Sequence, residues 1–114
     1  MASNAITAAA DTKVQSLGPL TVDRSRFVLT ILGNVVPLTR TEFDLLDFLI
    51  RNSERVVPQA ELRNAVAHSP HRPDSSLIRV HALRIRRKLG PYSSAVRTIR
   101  GRGLWFDESQ LPIA

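Results

Sequence analysis

The chain contains no cysteine. A disulfide framework, a thiolate metal site and a cysteine nucleophile are thereby excluded, and the composition is compatible with a reducing, cytoplasmic setting. Long apolar runs are missing as well. The longest, Phe27 to Leu32, is broken by Thr30 and falls far short of the roughly 20 residues that a spanning helix needs. Serine and histidine are present, but there is no glycine-flanked nucleophile turn and no phosphate-binding glycine loop ahead of a helix. Catalysis is therefore not expected, and no cofactor is implied. His68 and His71 have an H-x-x-H spacing, yet they lie in a proline-broken stretch with few carboxylates, so no metal site is expected there. The most informative absence is local: residues 75–106 include no Asp or Glu at all.

Within that block stand eight Lys or Arg (Arg79, Arg84, Arg86, Arg87, Lys88, Arg97, Arg100, Arg102) and His81. Residues 1–74 hold eight basic and eight acidic side chains, which cancel, and Asp107 and Glu108 bring the block's +8 back to the formal +6 of the whole chain. A small domain that gathers its net charge in one stretch has the footprint of a polyanion binder. The pI near 11.3 favours nucleic acid or an anionic membrane surface. Membrane binding would need a lipid-facing apolar stripe, and the basic helix described below needs its stripe for a core.

At 114 residues the chain has the length of one domain. Residues 1–16, rich in Ala, Ser and Thr, are expected to be a disordered tail, and the Ser3-Asn4-Ala5 start resembles a cloning remnant. From Leu17 the pattern has period 2: Leu20 and Val22 share one side of a strand, and Phe27, Leu29 and Ile31 one side of the next. Gly33-Asn34 reads as a hairpin loop, and Val35 to Leu38 returns from it with Pro37 on an edge. Thr39 opens a helix with a capping box to Glu42. That helix has a broad apolar face of Phe43, Leu45, Leu46, Leu49 and Ile50. After an extended Arg55-Val56-Val57 link, a second helix is expected from about Pro58 to Ala67. His68 to Pro73 is a loop, and Asp74 or Ser75 can cap a third helix that stops at Gly90-Pro91. Val96 to Ile99, the turn Arg100 to Gly103, and Leu104 to Phe106 read as a β-hairpin with a basic tip. The domain is expected over 17–108, with 109–114 a tail.

In the third helix Ile78, Ala82, Ile85 and Leu89 make one core-facing stripe, and the remaining positions are mostly basic. A helix of this kind, presented after a helix and a loop, has the form that enters a DNA major groove. No acidic residue at i±4 offsets Arg84, Arg86, Arg87 or Lys88, so their repulsion is expected to need an external anion. His81 and Arg84, three apart, are the first candidates for contact, followed by Arg79 and Arg87; the competing reading of His81 is a partly buried imidazole bonded to a carbonyl. The Arg100-Gly101-Arg102-Gly103 tip suits insertion into a narrow minor groove.

Specific words sharpen this. Leu38-Thr39-Arg40-Thr41-Glu42-Phe43-Asp44-Leu45-Leu46, Arg55-Val56-Val57 with Glu61-Leu62, Val80-His81 through Arg86, Lys88-Leu89, and Thr98-Ile99-Arg100-Gly101-Arg102-Gly103 resemble the winged-helix effector domain of OmpR/PhoB-type response regulators. The resemblance implies an α+β winged helix-turn-helix with an N-terminal antiparallel sheet, three helices and a hairpin wing. It implies a bacterial transcription regulator that recognises double-stranded DNA by sequence. Contacts would fall on His81, Arg84 and Arg86 in the helix and on Thr98 and Arg100 in the wing, with the protein a monomer when free and a dimer on tandem half-sites. The loop carrying His68, His71 and Arg72 would touch RNA polymerase.

The departures from that pattern are Ala67 for a usual Trp, Pro58 for a Ser or Thr cap, Arg79 for an acidic residue, Leu83 at an often basic position, and Leu104 for the wing Tyr. No phospho-acceptor receiver domain lies within the sequence, which implies an excised effector domain or a protein controlled by other means. The alternative function is a winged-helix module that docks RNA polymerase or an acidic protein, favoured by apolar Leu83 and Trp105 near the working surface.

Overall fold

Alternation of apolar and polar residues at the N-terminal end folds as an antiparallel meander. The computed structural model describes residues 13–66 and 75–112, with the backbone alone for 75–77. The meander consists of β1 (Val14–Leu17), β2 (Leu20–Asp23), β3 (Val28–Ile31) and β4 (Asn34–Val36), in that spatial order. The register sets Val22 opposite Leu29 and Leu20 opposite Ile31. Leu20, Val22 and Leu29 are fully buried on the inner face, with Ile31 and Val36 packed beside them. Residues 14–16, assigned by composition to a tail, form most of β1; residues 1–12 lie outside the described residues.

Two turns differ from the sequence expectation. Phe27 does not join Leu29 and Ile31 on the inner face. The Asp23 carboxylate accepts from the amides of Ser25 and Arg26, a side-chain-closed turn that delays the strand to Val28. Phe27, at φ 57°, is left outside it, meeting Phe43 edge-on at 5.7 Å beneath the Arg40 guanidinium. The next hairpin turns at Leu32-Gly33 rather than Gly33-Asn34. Both residues have positive φ, 52° and 84°, as a two-residue turn with the twist of the flanking strands requires.

Helix α1 (Arg40–Arg51) starts at the expected capping box. The Glu42 amide donates to Thr39 Oγ1 at 3.1 Å and the Thr39 amide to Glu42 Oε1 at 3.0 Å. Phe43, Leu45, Leu46, Leu49 and Ile50 are buried, and Arg24 reaches from the meander to Asp47 at 2.7 Å. Helix α2 (Gln59–Ala65) follows Pro58 and ends at Val66; Ala67, the stretch His68 to Pro73 expected as a loop, and the candidate cap Asp74 lie outside the described residues. Helix α3 (Ser75–Leu89) stops before Gly90, whose φ is 60°. The Gly-Pro signal ends the helix, and Gly90–Ala95 then winds into a 3-10 turn.

β5 (Val96–Ile99) and β6 (Gly103–Phe106) pair as the C-terminal hairpin. The Arg55-Val56-Val57 link supplies a third partner for it. The Val57 amide donates to the Leu104 carbonyl at 2.7 Å and the Leu104 amide to the Val57 carbonyl at 3.0 Å. Such closeness requires Gly103, where a Cβ would lie 1.9 Å from the Val57 carbonyl oxygen. The chain keeps its packing past Phe106: the Asp107 amide donates to the Ala95 carbonyl, and Leu111, in the stretch expected to be a tail, is buried. One apolar cluster joins the meander, the three helices and the hairpin.

Candidate nucleic-acid interface

The third helix is positioned by what it buries. Ile78, Ala82, Ile85 and Leu89, the stripe expected from the spacing, are all at most 1% exposed. Its basic last turn, Arg86, Arg87 and Lys88, sits where the helix dipole favours cations, which offsets part of their mutual repulsion.

Tertiary partners offset more of it, and this corrects the expectation that all four helix cations lack a counter-charge. Lys88 Nζ lies 2.6 Å from Glu42 Oε1, and Glu42 is only 1% exposed. Burial pushes the Glu42 carboxyl up, but hydrogen bonds from Lys88 and the Thr39 amide, with the charges of Lys88 and His81, outweigh it and hold the group below the usual range. One carboxylate therefore caps α1 and ties α3 to it. Arg86 is held on the other flank: its Nε donates to the Val96 carbonyl at 2.7 Å, and Nη2 donates to Thr98 Oγ1. Arg97 pairs with Asp107 at 3.2 Å and lies against the Trp105 ring.

Three of the eight cations in 75–106 thus have partners inside the fold, leaving five: Arg79, Arg84 and Arg87 on α3, and Arg100 and Arg102 on the hairpin tip. All five are exposed, and none has a partner among the described residues. An open cleft of about 900 Å³ between α3 and the hairpin is lined by Arg79, Arg86, Arg100 and Arg102 together with Ile78, Leu83 and Leu104. Thr98 is exposed beside it.

His81 stands apart from this group. It is half-buried, and its Nδ1 is buried without a hydrogen-bond partner among the described residues. Burial pulls its pKa below the ordinary value; the Glu42 charge opposes the shift and Arg84 adds to it. The carbonyl-bonded imidazole is therefore not what the structure contains at Nδ1. His68, His71 and Arg72 lie outside the described residues. Among the described residues no His, Asp or Glu cluster could hold a metal ion, and no helix is long and apolar enough to cross a membrane.

Sequence reasoning did not pick out three features of this region. Gln59, at the start of α2, also lines the cleft. Val80 is exposed on α3. The Val57–Leu104 bridge that sets the hairpin against the helices has no signal in the local pattern.

A meander, three helices and a C-terminal hairpin, with exposed cations on the third helix and hairpin tip, define a winged helix-turn-helix domain of the α+β class. Residues 33–106 match the family model described as "Transcriptional regulatory protein, C terminal", and the chain belongs to that family, the OmpR/PhoB-type effector domains. It is 34% identical over 100 residues to the sensory transduction protein RegX3 of Mycolicibacterium smegmatis, across 87% of this chain and 44% of that protein. The chain thus spans less than half the length of the curated relatives it matches. The DNA-binding domain of CpxR from E. coli superimposes with a TM-score of 0.72 at 28% identity, over 82% of this chain and 95% of that one. The Klebsiella pneumoniae RstA DNA-binding domain, solved in complex with RstA box, has the same fold: TM-score 0.73 at 23% identity, over 84% of this chain and 98% of that one.

Proposed function

We propose that this domain binds double-stranded DNA by sequence, as the DNA-reading part of a bacterial transcription regulator, with α3 in the major groove and the β5–β6 wing at the adjacent minor groove. The observation that carries the reading is the set of five exposed arginines without partners among the described residues, three on α3 and two on the wing tip. An α-helix fits the major groove, and a slender cationic tip fits the minor groove. Arg84 and Arg87 supply groove or phosphate contacts, Arg79 reaches the backbone beside the wing, and Arg100 and Arg102 enter the minor groove. Thr98 accepts from Arg86, so its own hydroxyl hydrogen is available to a phosphate oxygen. Arg86 contributes by fixing the wing to the helix, and His81 by contact at the α1 edge of the interface. The chemistry is binding, without a catalytic group or cofactor.

Pairing on tandem half-sites, and contact of the His68 to Pro73 stretch with RNA polymerase, belong to the same proposal and rest on the family resemblance. The rival reading, a protein-docking module, loses one of its two supports. Trp105 is engaged within the fold, its Nε1 donating to the Ser53 carbonyl at 2.8 Å.

Fluorescence anisotropy of labelled duplexes recovered from a random pool tests the proposal. Affinity should fall with salt, log K losing about 0.9 per phosphate contact for each decade of salt concentration. Arg84→Ala and Arg100→Ala should each weaken binding about tenfold or more, within the range of a lost specific contact. Salt-insensitive binding that neither substitution changes would refute it.

A further inference from the structure

The exposed surface of α3 is not wholly polar. Helical spacing turns Ile78, Ala82, Ile85 and Leu89 inward, leaves Val80, Arg84 and Arg87 on the opposite side, and places Leu83 between that side and the cleft. Val80 is 38% exposed and Leu83 45%. At i and i+3 they adjoin on the helix surface. The core does not require either of them there, and Arg79, Arg84 and Arg87 surround them.

An apolar pair ringed by cations is complementary to a surface with anionic rims and an apolar group on its floor. The major groove is such a surface. Phosphates run along both edges, and the apolar group that the base pairs present is the C5-methyl of thymine. We propose that Leu83 and Val80 are specificity determinants that read thymine methyls, one base position each, under the centre of α3. The inference rests on the DNA-binding reading above and deepens it. Neither side chain has a donor or acceptor, so the preference comes from the methyl group buried against it. Cytosine is disfavoured because it presents only a C5–H where thymine presents the methyl, so less apolar surface is buried.

The test uses the intact 114-residue chain and duplexes it retains from a random pool. Each thymine of a retained duplex is replaced in turn by deoxyuridine, which removes the C5-methyl and leaves base pairing unchanged. One or two positions per half-site should lose about fourfold in affinity, which is about 0.8 kcal/mol for one buried methyl. Leu83→Ala should abolish the thymine-over-uracil preference at one of these positions and Val80→Ala at the other. Both residues lie outside the core, and an unchanged circular dichroism spectrum and Tm verify that the variants fold. Retained duplexes that tolerate deoxyuridine everywhere, or a preference that survives in both variants, overturn the inference and leave DNA binding standing. Retention of no duplex from the pool overturns both.

Discussion

Glu42 accepts from two elements at once, and replacing it should reveal how α3 is held. Its Oε1 receives the Lys88 ammonium at 2.6 Å and the Thr39 amide at 3.0 Å, in a site where Glu42 is 1% exposed. Glu42→Gln keeps a carbonyl oxygen for the Thr39 amide but offers Lys88 a neutral acceptor. The Lys88 ammonium stays charged, so what is lost is the attraction between opposite charges, a part of the about 1.5–3 kcal/mol that a hydrogen bond to a charged group contributes. Lys88 retains 31% side-chain exposure and can turn to water, which limits the loss to about 1–2 kcal/mol. Glu42→Ala also removes the reciprocal half of the capping box, worth about 1 kcal/mol, for a total of about 2–3 kcal/mol. At about 4–8 °C per kcal/mol for a domain of this size, Glu42→Gln should lower the Tm by roughly 5–15 °C.

The pH dependence supplies a second readout. The folded carboxyl lies below its ordinary pKa of 4.5, so its stabilisation is present above that value and is lost as pH falls through the folded pKa. Glu42→Gln should lack this share of the acid destabilisation. Urea unfolding, followed by Trp105 fluorescence at pH 7 and pH 4, measures both effects. If Glu42→Gln matched the native chain within about 0.3 kcal/mol at pH 7 and shared its acid profile, the shared-carboxylate account would be refuted.

Three further outcomes are expected. Gly103→Ala should cost about 3 kcal/mol or more, since its Cβ would sit 1.9 Å from the Val57 carbonyl oxygen; amide exchange should show the Val57–Leu104 bonds opened, and native-like protection there would contradict the close approach. Trp105→Phe should lower stability by about 1 kcal/mol through loss of the bond to Ser53, and a urea midpoint equal to that of the native chain would assign the bond no net value. His81 has a folded pKa below its ordinary 6.5, so as pH falls below that value the unfolded chain takes up the proton first and stability declines until the folded pKa is reached. His81→Gln should therefore show a flatter dependence between pH 7.5 and 5.5, and parallel curves would exclude the imidazole as the titrating group.

What the sequence makes legible here is what neighbouring residues decide among themselves. The Thr39 and Glu42 box, the Ile78 to Leu89 stripe and the Gly90-Pro91 stop are all set within a few residues, and each appears where the spacing places it. The turn at Leu32-Gly33 is one residue away from its expected place because positive φ at leucine is not signalled by composition. Charge is legible only as a sum. The block 75–106 has a formal charge of +8, but which of those charges remain available depends on contacts across the fold. Lys88 finds Glu42 across 46 residues, Arg86 finds Val96 and Thr98, and Arg97 finds Asp107. These three side chains orient helix and hairpin: Lys88 binds α3 to α1, Arg86 binds it to the wing, and Arg97 secures the wing's base. The five arginines left over are then carried on parts whose relative positions are already fixed. The exposed charge of this domain is therefore what tertiary pairing leaves over, and the same basic stretch on a chain without Glu42, Thr98 and Asp107 would attract a polyanion without presenting a defined face to it.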